Sequence, residues 1–182
     1  HTEFRDGNVP AGYEQLRVFT EALECLPAGV KQVRLRSDTA GYQHNLLKYC
    51  EKGLHERFGR IEFAIGCDVT PEFKKAVEEV PEHDWHWLYK TVDGKPQRTT
   101  TQWCEVCFVP AGMEYSKDAP VYRYIAKREA LSGQLPLPGM QTQPSLPFQT
   151  IDLHEKRYKL FGIVTNMDWQ GERLINWHHK RC

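Results

Sequence analysis

The strongest constraint on the fold is a stretch at residues 60–67 that is apolar on both faces of a predicted strand. Ile61, Phe63, Ala64 and Ile65 leave neither side of this segment polar. A strand with two apolar faces is buried on both sides, which is typical of a sheet that helices cover. The sequence therefore predicts an α/β fold with layers on both sides of a sheet.

Helical and strand patterns alternate on both sides of this segment. Residues 13–26 carry apolar side chains at spacings of three and four, and residues 30–36 alternate between apolar and charged side chains. These patterns predict an amphipathic helix and then a strand. A second helix is predicted around residues 46–50, and a third begins with Thr70 as its N-cap and a proline in its first turn. Residues 15–80 are thus predicted as helix, strand, helix, strand, helix.

The pattern changes after Pro81, where short strands and turns replace the helices. A proline-rich stretch at residues 133–149 predicts an extended loop, and a final helix is predicted from Gly171 onwards. The predicted strands are Trp85–Leu88, Trp103–Val109, Val121–Lys127 and Tyr158–Thr165, with a turn at Asp93-Gly94.

Bulk composition limits the classes of function. Lys and Arg together number 24, as do Asp and Glu, so net charge gives no sign of a polyanionic partner. There is neither a secretory signal nor an apolar run long enough to span a membrane. The six cysteines are predicted to be reduced, buried thiols of a cytosolic protein. Because the chain starts at His1 and its last helix has no stop signal, we expect a fragment of a longer protein.

Asp38 is the first candidate for chemistry. It follows the predicted strand that ends at Arg36 and precedes a helix. Sites in α/β sheets gather where strands end, and a carboxylate there is a hard oxygen ligand for Mg²⁺. The alternative is a helix cap, because Asp is a favoured N-cap residue.

Two other groups have both a functional and a structural interpretation. Cys104 and Cys107 form a Cys-x-x-Cys pair that would serve zinc, but residues three apart on a strand point to opposite faces. His178, Lys180 and Arg181 lie on the last helix, where they would contact phosphate or form a solvated basic helix end.

Further basic and aromatic residues suggest nucleic-acid contacts. A DNA backbone groove is one interpretation of the basic residues, and a solvated surface is the other. Stacking on an unpaired base is one interpretation of the tryptophans, and core packing is the other. The basic residues are Arg123, Lys127, Arg128, His154, Lys156, Arg157 and Lys159, and the tryptophans are Trp85, Trp87 and Trp103.

Three stretches together resemble a known family: Glu3–Gly12, Leu35–Tyr42, and Phe161–Asn166 with the helix that follows. They resemble DDE transposases of bacterial insertion sequences, in the branch with a β-rich insertion in an RNase H-like catalytic core. The resemblance implies an RNase H-like mixed-sheet core interrupted by a β-rich insertion. Residues 1–84 would be the first part of the core, 85–157 the insertion with its Pro-rich loop, and 158–182 the return to the core with a truncated final helix.

The resemblance also implies an activity. Such enzymes bind two Mg²⁺ or Mn²⁺ ions with three carboxylates, and they cut and join DNA at transposon ends. Asp38 matches the second carboxylate; the first Asp would precede His1, and the Glu would follow Cys182. His178 and Arg181 match the start of the family's pattern on the last helix, with His where many relatives have Tyr. The 182 residues alone are then expected to bind Mg²⁺ weakly and to cut nothing.

The same resemblance implies double-stranded DNA as the partner, a homodimer on paired transposon ends, and a bacterial cytoplasmic location. Two other classes stay open from the sequence. One is a catalytically inactive DNA-binding module. The other is a zinc-stabilised β domain without catalysis, in which Cys104 and Cys107 would be ligands.

Overall fold

The computed structural model describes residues 7, 9–10, 12–110, 120–131 and 148–180. Across these ranges the chain is a mixed α/β fold with one seven-stranded sheet, which confirms the predicted α/β class. No helix in the described part is long and apolar enough to cross a bilayer. The helices are Gln15–Glu24 (α1), His44–Glu51 (α2), Pro71–Glu78 (α3) and Gly171–His179 (α4). The strands are Arg34–Ser37 (β1), Glu62–Cys67 (β2), His86–Val92 (β3), Lys95–Val106 (β4), Arg123–Ala130 (β5), Thr150–Leu153 (β6) and Lys156–Thr165 (β7).

The sheet has the strand order β1-β2-β7-β5-β4-β3, with β6 paired to β7. Only β1 and β2 are parallel, and every other pairing is antiparallel. Residues 162–165 of β7 pair with β2, and residues 156–159 pair with β6, so these two strands share one edge of β7. One continuous sheet therefore passes through all three ranges into which the sequence was divided.

Both faces of the sheet are covered, as the two-faced apolar segment predicted. Phe63 and Ile65 of β2 pack with α1, α2 and α3 on one face, whereas Ala64 packs with α4 on the other. The whole of β2 after its first residue is buried. Burial on both sides is the environment in which a strand needs no polar alternation.

Helix α4 contacts both edges of the sheet. Asn176 Nδ2 donates to the carbonyl oxygen of Tyr89 in β3 at 2.9 Å, and Arg36 of β1 donates to the carbonyl oxygen of Trp177 at 2.8 Å. At its other end, Gly171 lies so close to the Trp103 ring that a Cβ there would overlap it. Helix α4 is therefore held at β4, at β3 and at β1.

Of two helix caps predicted from the sequence, one is observed at the predicted helix and the other is not. Thr70 accepts a hydrogen bond from the Phe73 amide at 3.2 Å, which confirms it as the N-cap of α3. Asp38, however, caps a short 3₁₀ turn at Thr39–Gly41 and not α2, which begins at His44. The carboxylate is therefore held at the very end of β1.

Candidate functional site

The Asp38 carboxylate lies directly after the carboxyl end of β1 and is exposed. Its Oδ1 accepts a hydrogen bond from the Ala40 amide at 3.0 Å, which starts the 3₁₀ turn. Asp38 is therefore a capping residue, but of the 3₁₀ turn and not of the predicted helix. It uses one of the two carboxylate oxygens and leaves Oδ2 outside the cap. Because a carboxylate has lone pairs for more than one partner, the cap does not prevent Asp38 from binding a cation.

Glycines bring the turn close to the neighbouring strand. A Cβ added to Gly66 of β2 would lie 3.0 Å from the Thr39 amide nitrogen and 3.2 Å from the carbonyl carbon of Asp38. A Cβ on Gly41 would meet the Ser37 side chain. The backbone at residues 38–41 therefore folds tightly over the end of β2, where only a residue without a side chain fits.

The C-terminal end of α4 docks on the residues just before Asp38. His178 Nε2 lies 2.9 Å from the carbonyl oxygen of Ser37. One residue earlier on both elements, Arg36 donates to the Trp177 carbonyl oxygen, and its guanidinium lies 5.2 Å from the centre of the Trp177 ring. The end of the last helix thus lies beside the two residues that precede Asp38.

The other predicted site residues of α4 differ in their placement. Lys180 is exposed at the C-terminal cap of the helix. His178 is only 3% exposed, and its ring contacts the backbone of β1. Arg181 lies outside the described residues. Lys180 is therefore open to a phosphate, whereas a phosphate contact by His178 stays a prediction that its burial does not support.

The charges at this end of the sheet have both signs. Lys180 caps α4, and the Trp177 carbonyl oxygen at the end of this helix already accepts a hydrogen bond from the Arg36 guanidinium. Asp68 follows β2 as Asp38 follows β1, and it is also exposed. Oxygen ligands of this kind fit Mg²⁺ or Mn²⁺. The described residues hold no group of three or more side chains placed to bind a metal, so Asp38 would be one ligand of an incomplete set.

The predicted basic groove does not form as one surface. Arg123 and Lys127 of β5 face α4, where Arg123 donates to the Met167 and Trp169 carbonyl oxygens and Lys127 contacts His179. Arg128 points to the opposite face and is buried there. Neighbouring residues on a strand point to opposite faces, so these cations cannot line one groove. Arg157 pairs with Asp152, at 2.8 Å.

The tryptophans divide between the core and one open cleft. Trp85 is buried against Arg128, and Trp103 is buried beneath Gly171. Trp87 is 39% exposed, with the Arg98 guanidinium 4.7 Å from its ring centre. Of the three tryptophans proposed for stacking, Trp87 alone is substantially exposed, and the small exposed parts of the other two line a cleft beside it. The cleft has a volume of about 440 Å³ and is lined by Trp85, His86, Trp87, Tyr89, Trp103, Gln170 and Glu172.

The Cys-x-x-Cys pair is split by its strand. Cys104 is buried in the core of the sheet, and Cys107, just past the end of β4, is exposed. Burial raises the pKa of the Cys104 thiol to about 12, which opposes the thiolate that zinc requires. The two cysteines therefore do not present a shared pair of ligands.

Sequence reasoning missed three residues that form the site around Asp38. Arg36 was considered only as the end of a predicted strand, and neither Ser37 nor Gly66 was singled out for the site. Contacts such as that of Ser37 with His178 join residues 141 positions apart, and no local periodicity marks them. The glycine in an otherwise apolar strand was the one available signal, because such a residue often marks a close backbone approach.

Comparison with known proteins adds no relative. No protein-family model, curated protein or solved structure matches the chain. A function is therefore inferred from the geometry around Asp38 and from the resemblance of the sequence motifs.

Proposed function

We propose that this chain is part of a DDE-type transposase of a bacterial insertion sequence, a DNA strand-transfer enzyme with an RNase H-like core. The observation that carries the proposal is the exposed Asp38 carboxylate at the carboxyl end of β1, with the C-terminal end of α4 docked on the preceding residue. Strand ends are where α/β folds gather their sites. The motif around Asp38 is also the part of the chain that resembles the family's second metal-binding carboxylate.

Each residue has a defined task in this proposal. Asp38 would hold Mg²⁺ or Mn²⁺ through Oδ2, while Oδ1 keeps the turn capped. When bound, a pair of such ions activates the attacking hydroxyl and stabilises the leaving oxygen in phosphoryl transfer. Lys180, exposed beside this end of the sheet, would contact a DNA phosphate, and Arg181 would do so by resemblance. The resemblance assigns the two other carboxylates to positions outside residues 1–182.

The partner in this proposal is double-stranded DNA, as a transposon end and as a target, bound by a homodimer in the bacterial cytoplasm. Local cations must supply the contacts, because the net charge of the chain is zero. Phosphate contacts by lysine and arginine dominate DNA affinity and make it sensitive to salt. The affinity for transposon-end DNA should therefore fall steeply as salt concentration rises.

The test distinguishes whether Asp38 binds a metal ion or only caps the 3₁₀ turn. In the complete reading frame that contains this chain, Asp38→Asn keeps an oxygen for the Ala40 amide but removes the negative charge. We expect this variant to lose nicking of end-containing DNA by at least about a hundredfold while its melting temperature and DNA affinity stay unchanged. Asp93→Asn is the matched control, because Asp93 is an exposed aspartate in the turn between β3 and β4 and does not follow β1 or β2.

Two outcomes would contradict the assignment. If Asp38→Asn nicks DNA like the wild type and only Asp38→Ala loses stability, by about 1 kcal/mol, then Asp38 is a cap and nothing more. If the complete protein binds end-containing DNA but never nicks it with Mg²⁺ or Mn²⁺, the chain belongs to an inactive DNA-binding module.

A further inference from the structure

We propose that His178 is a positioning residue, which sets the place of the Asp38 carboxylate through the backbone of Ser37 and makes no contact with DNA. This inference rests on the proposed role of Asp38 as a metal ligand. It assigns to His178 a task that differs from the phosphate contact predicted for the basic residues of the last helix.

The first step is the hydrogen bond itself. A carbonyl oxygen only accepts, so the 2.9 Å contact between His178 Nε2 and Ser37 requires a proton on Nε2. The Ser37 carbonyl belongs to the peptide group that links Ser37 to Asp38. Holding this oxygen therefore fixes the peptide plane from which Asp38 starts. With the ring only 3% exposed, water competes poorly for the bond.

The second step is that the contact is reciprocal. His178 of α4 reaches the backbone of β1, and Arg36 of β1 reaches the backbone of α4 at Trp177. These two hydrogen bonds run in opposite directions between consecutive residues of both elements. We call this pair of contacts the β1–α4 clamp. Sliding or rotation of one element against the other breaks both bonds, so the clamp defines a single register.

The third step is the weakness of β1 without the clamp. This strand has four residues and pairs only with β2, so it is an edge strand of the described sheet. Short edge strands with few partners open locally at low free-energy cost. Gly66 supports the turn from β2, but it makes no side-chain bond that could hold the turn in place. The clamp therefore adds the contacts that tie the carboxyl end of β1 to α4, beyond the pairing with β2 and the Asp38 cap.

A functional consequence follows for ligand binding. Lys180 is two residues after His178, at the end of the same helix. A phosphate bound there would hold α4, and through the clamp it would hold Asp38 in its metal-binding position. Metal affinity and DNA affinity should then be coupled, and thermodynamic linkage makes the coupling equal in both directions.

The first experiment measures how firmly the carboxyl end of β1 is held, and it does not require the protein to cut DNA. Amide hydrogen exchange of the full chain is followed by mass spectrometry on peptides that cover residues 34–42. His178→Phe keeps a buried ring but removes the donor, and we expect exchange at residues 38–41 to speed up about five- to tenfold, as for one lost buried hydrogen bond. His178→Gln, which keeps an N–H donor, should restore part of the protection. His179→Phe is the matched control on the adjacent residue, whose ring contacts Lys127 instead.

A second variant covers the case in which His178→Phe does not fold. Arg36→Met keeps an unbranched side chain but has no N–H donor, so it removes the other half of the clamp from a partly exposed position and should speed exchange at the same residues. In every variant, amides of β5 and β7 serve as the internal reference for the intact sheet. Unchanged protection at residues 38–41 in both Arg36→Met and a folded His178→Phe would overturn the inference, whether or not the protein cuts DNA.

The second experiment separates positioning from a phosphate contact. In the complete protein, His178→Phe should raise the Mg²⁺ concentration for half-maximal nicking about tenfold, as expected for about 1.4 kcal/mol. The maximal rate at saturating Mg²⁺ and the affinity for DNA measured without metal should stay unchanged. A loss of DNA affinity with an unchanged Mg²⁺ requirement would mean that His178 binds phosphate, which contradicts positioning. If the wild type never nicks DNA, the proposed function fails, and the exchange result still decides whether His178 orders the end of β1.

Discussion

Arg128 is the largest fully buried side chain among the described residues, although it is charged. Its guanidinium lies 4.0 Å from the centre of the Trp85 ring and 4.7 Å from that of Tyr158, and it pairs with Glu82. The hydrogen bond from Arg128 lowers the pKa of Glu82. Buried arginines are rare unless they are paired, so residue type alone placed Arg128 on the surface, either in a DNA groove or in contact with solvent. Only the aromatic and acidic partners, distant in sequence, explain its burial.

The cysteines show how burial decides reactivity. Desolvation raises the pKa of the thiols of Cys50, Cys67 and Cys104 to about 12. Since the thiolate is the reactive form, alkylation of these thiols at pH 8 should be on the order of a thousandfold slower than at a thiol with an ordinary pKa. Cys25 and Cys107 are exposed.

We therefore predict that iodoacetamide labels Cys25 and Cys107 in the native protein and reaches the three buried cysteines only after denaturation. Peptide mass spectrometry of protein labelled with and without urea makes the comparison within one sample. Rapid native labelling of Cys104, or protection of Cys107 by stoichiometric zinc, would contradict this arrangement and would favour the zinc-stabilised alternative.

Elements with strong local signals were predictable from the sequence. The hairpin turn between β3 and β4 is one, because Asp93 and Gly94 both have positive φ angles, of 49° and 74°. Such a pair matches the twist of two antiparallel strands. The two-faced strand β2 and the Thr70 cap are further examples. In these cases the residue type itself selects the backbone conformation, so distant contacts are not needed to identify the element.

Strands that are polar or very short were not predictable, because they lack the apolar alternation that identifies a strand. Strand β4 begins at Lys95, eight residues before the predicted start at Trp103, and its first half is a polar run that no apolar alternation marks. Strand β6 was missed because its four residues form a strand by pairing with β7. For the site, the position of Asp38 after a strand was predictable. The β1–α4 clamp was not, because it depends on how the last helix packs across the sheet.

The start of α4 offers a test of how tightly this helix is seated. Gly171 lies against the Trp103 ring with no room for a Cβ, so Gly171→Ala must displace either the helix or the ring. We expect this change to destabilise the protein by about 1–3 kcal/mol, as overpacking of a filled core does. Urea unfolding of the full chain measures the effect.

Gly29→Ala is the matched control for that substitution, since a Cβ there meets nothing within 4 Å. Its unfolding free energy should change by less than about 0.5 kcal/mol, as is usual for surface sites. Equal stability of Gly171→Ala and the wild type would mean that α4 does not rest on Trp103.

At the scale of the whole molecule, the main structural feature is the continuity of the sheet. The family resemblance divides the chain at residues 84 and 157 into core, insertion and core. Strand β7 crosses the second of these boundaries and pairs with β2 on one side and β5 on the other. The two cores on either face of the sheet also draw residues from all three ranges. Backbone pairing and side-chain packing therefore join the predicted insertion to the predicted core.

This continuity predicts one cooperative unfolding unit. Strands that share a central neighbour lose pairing together, because removing either β2 or β5 exposes an edge of the buried strand β7. We expect the urea transition followed by far-ultraviolet circular dichroism to coincide with that followed by tryptophan fluorescence. Hydrogen exchange at increasing urea should likewise release β2 and β5 at the same concentration. If β3, β4 and β5 instead unfold at a lower urea concentration than β1 and β2, the insertion is a separate unit, and the division at residue 84 is a real domain boundary.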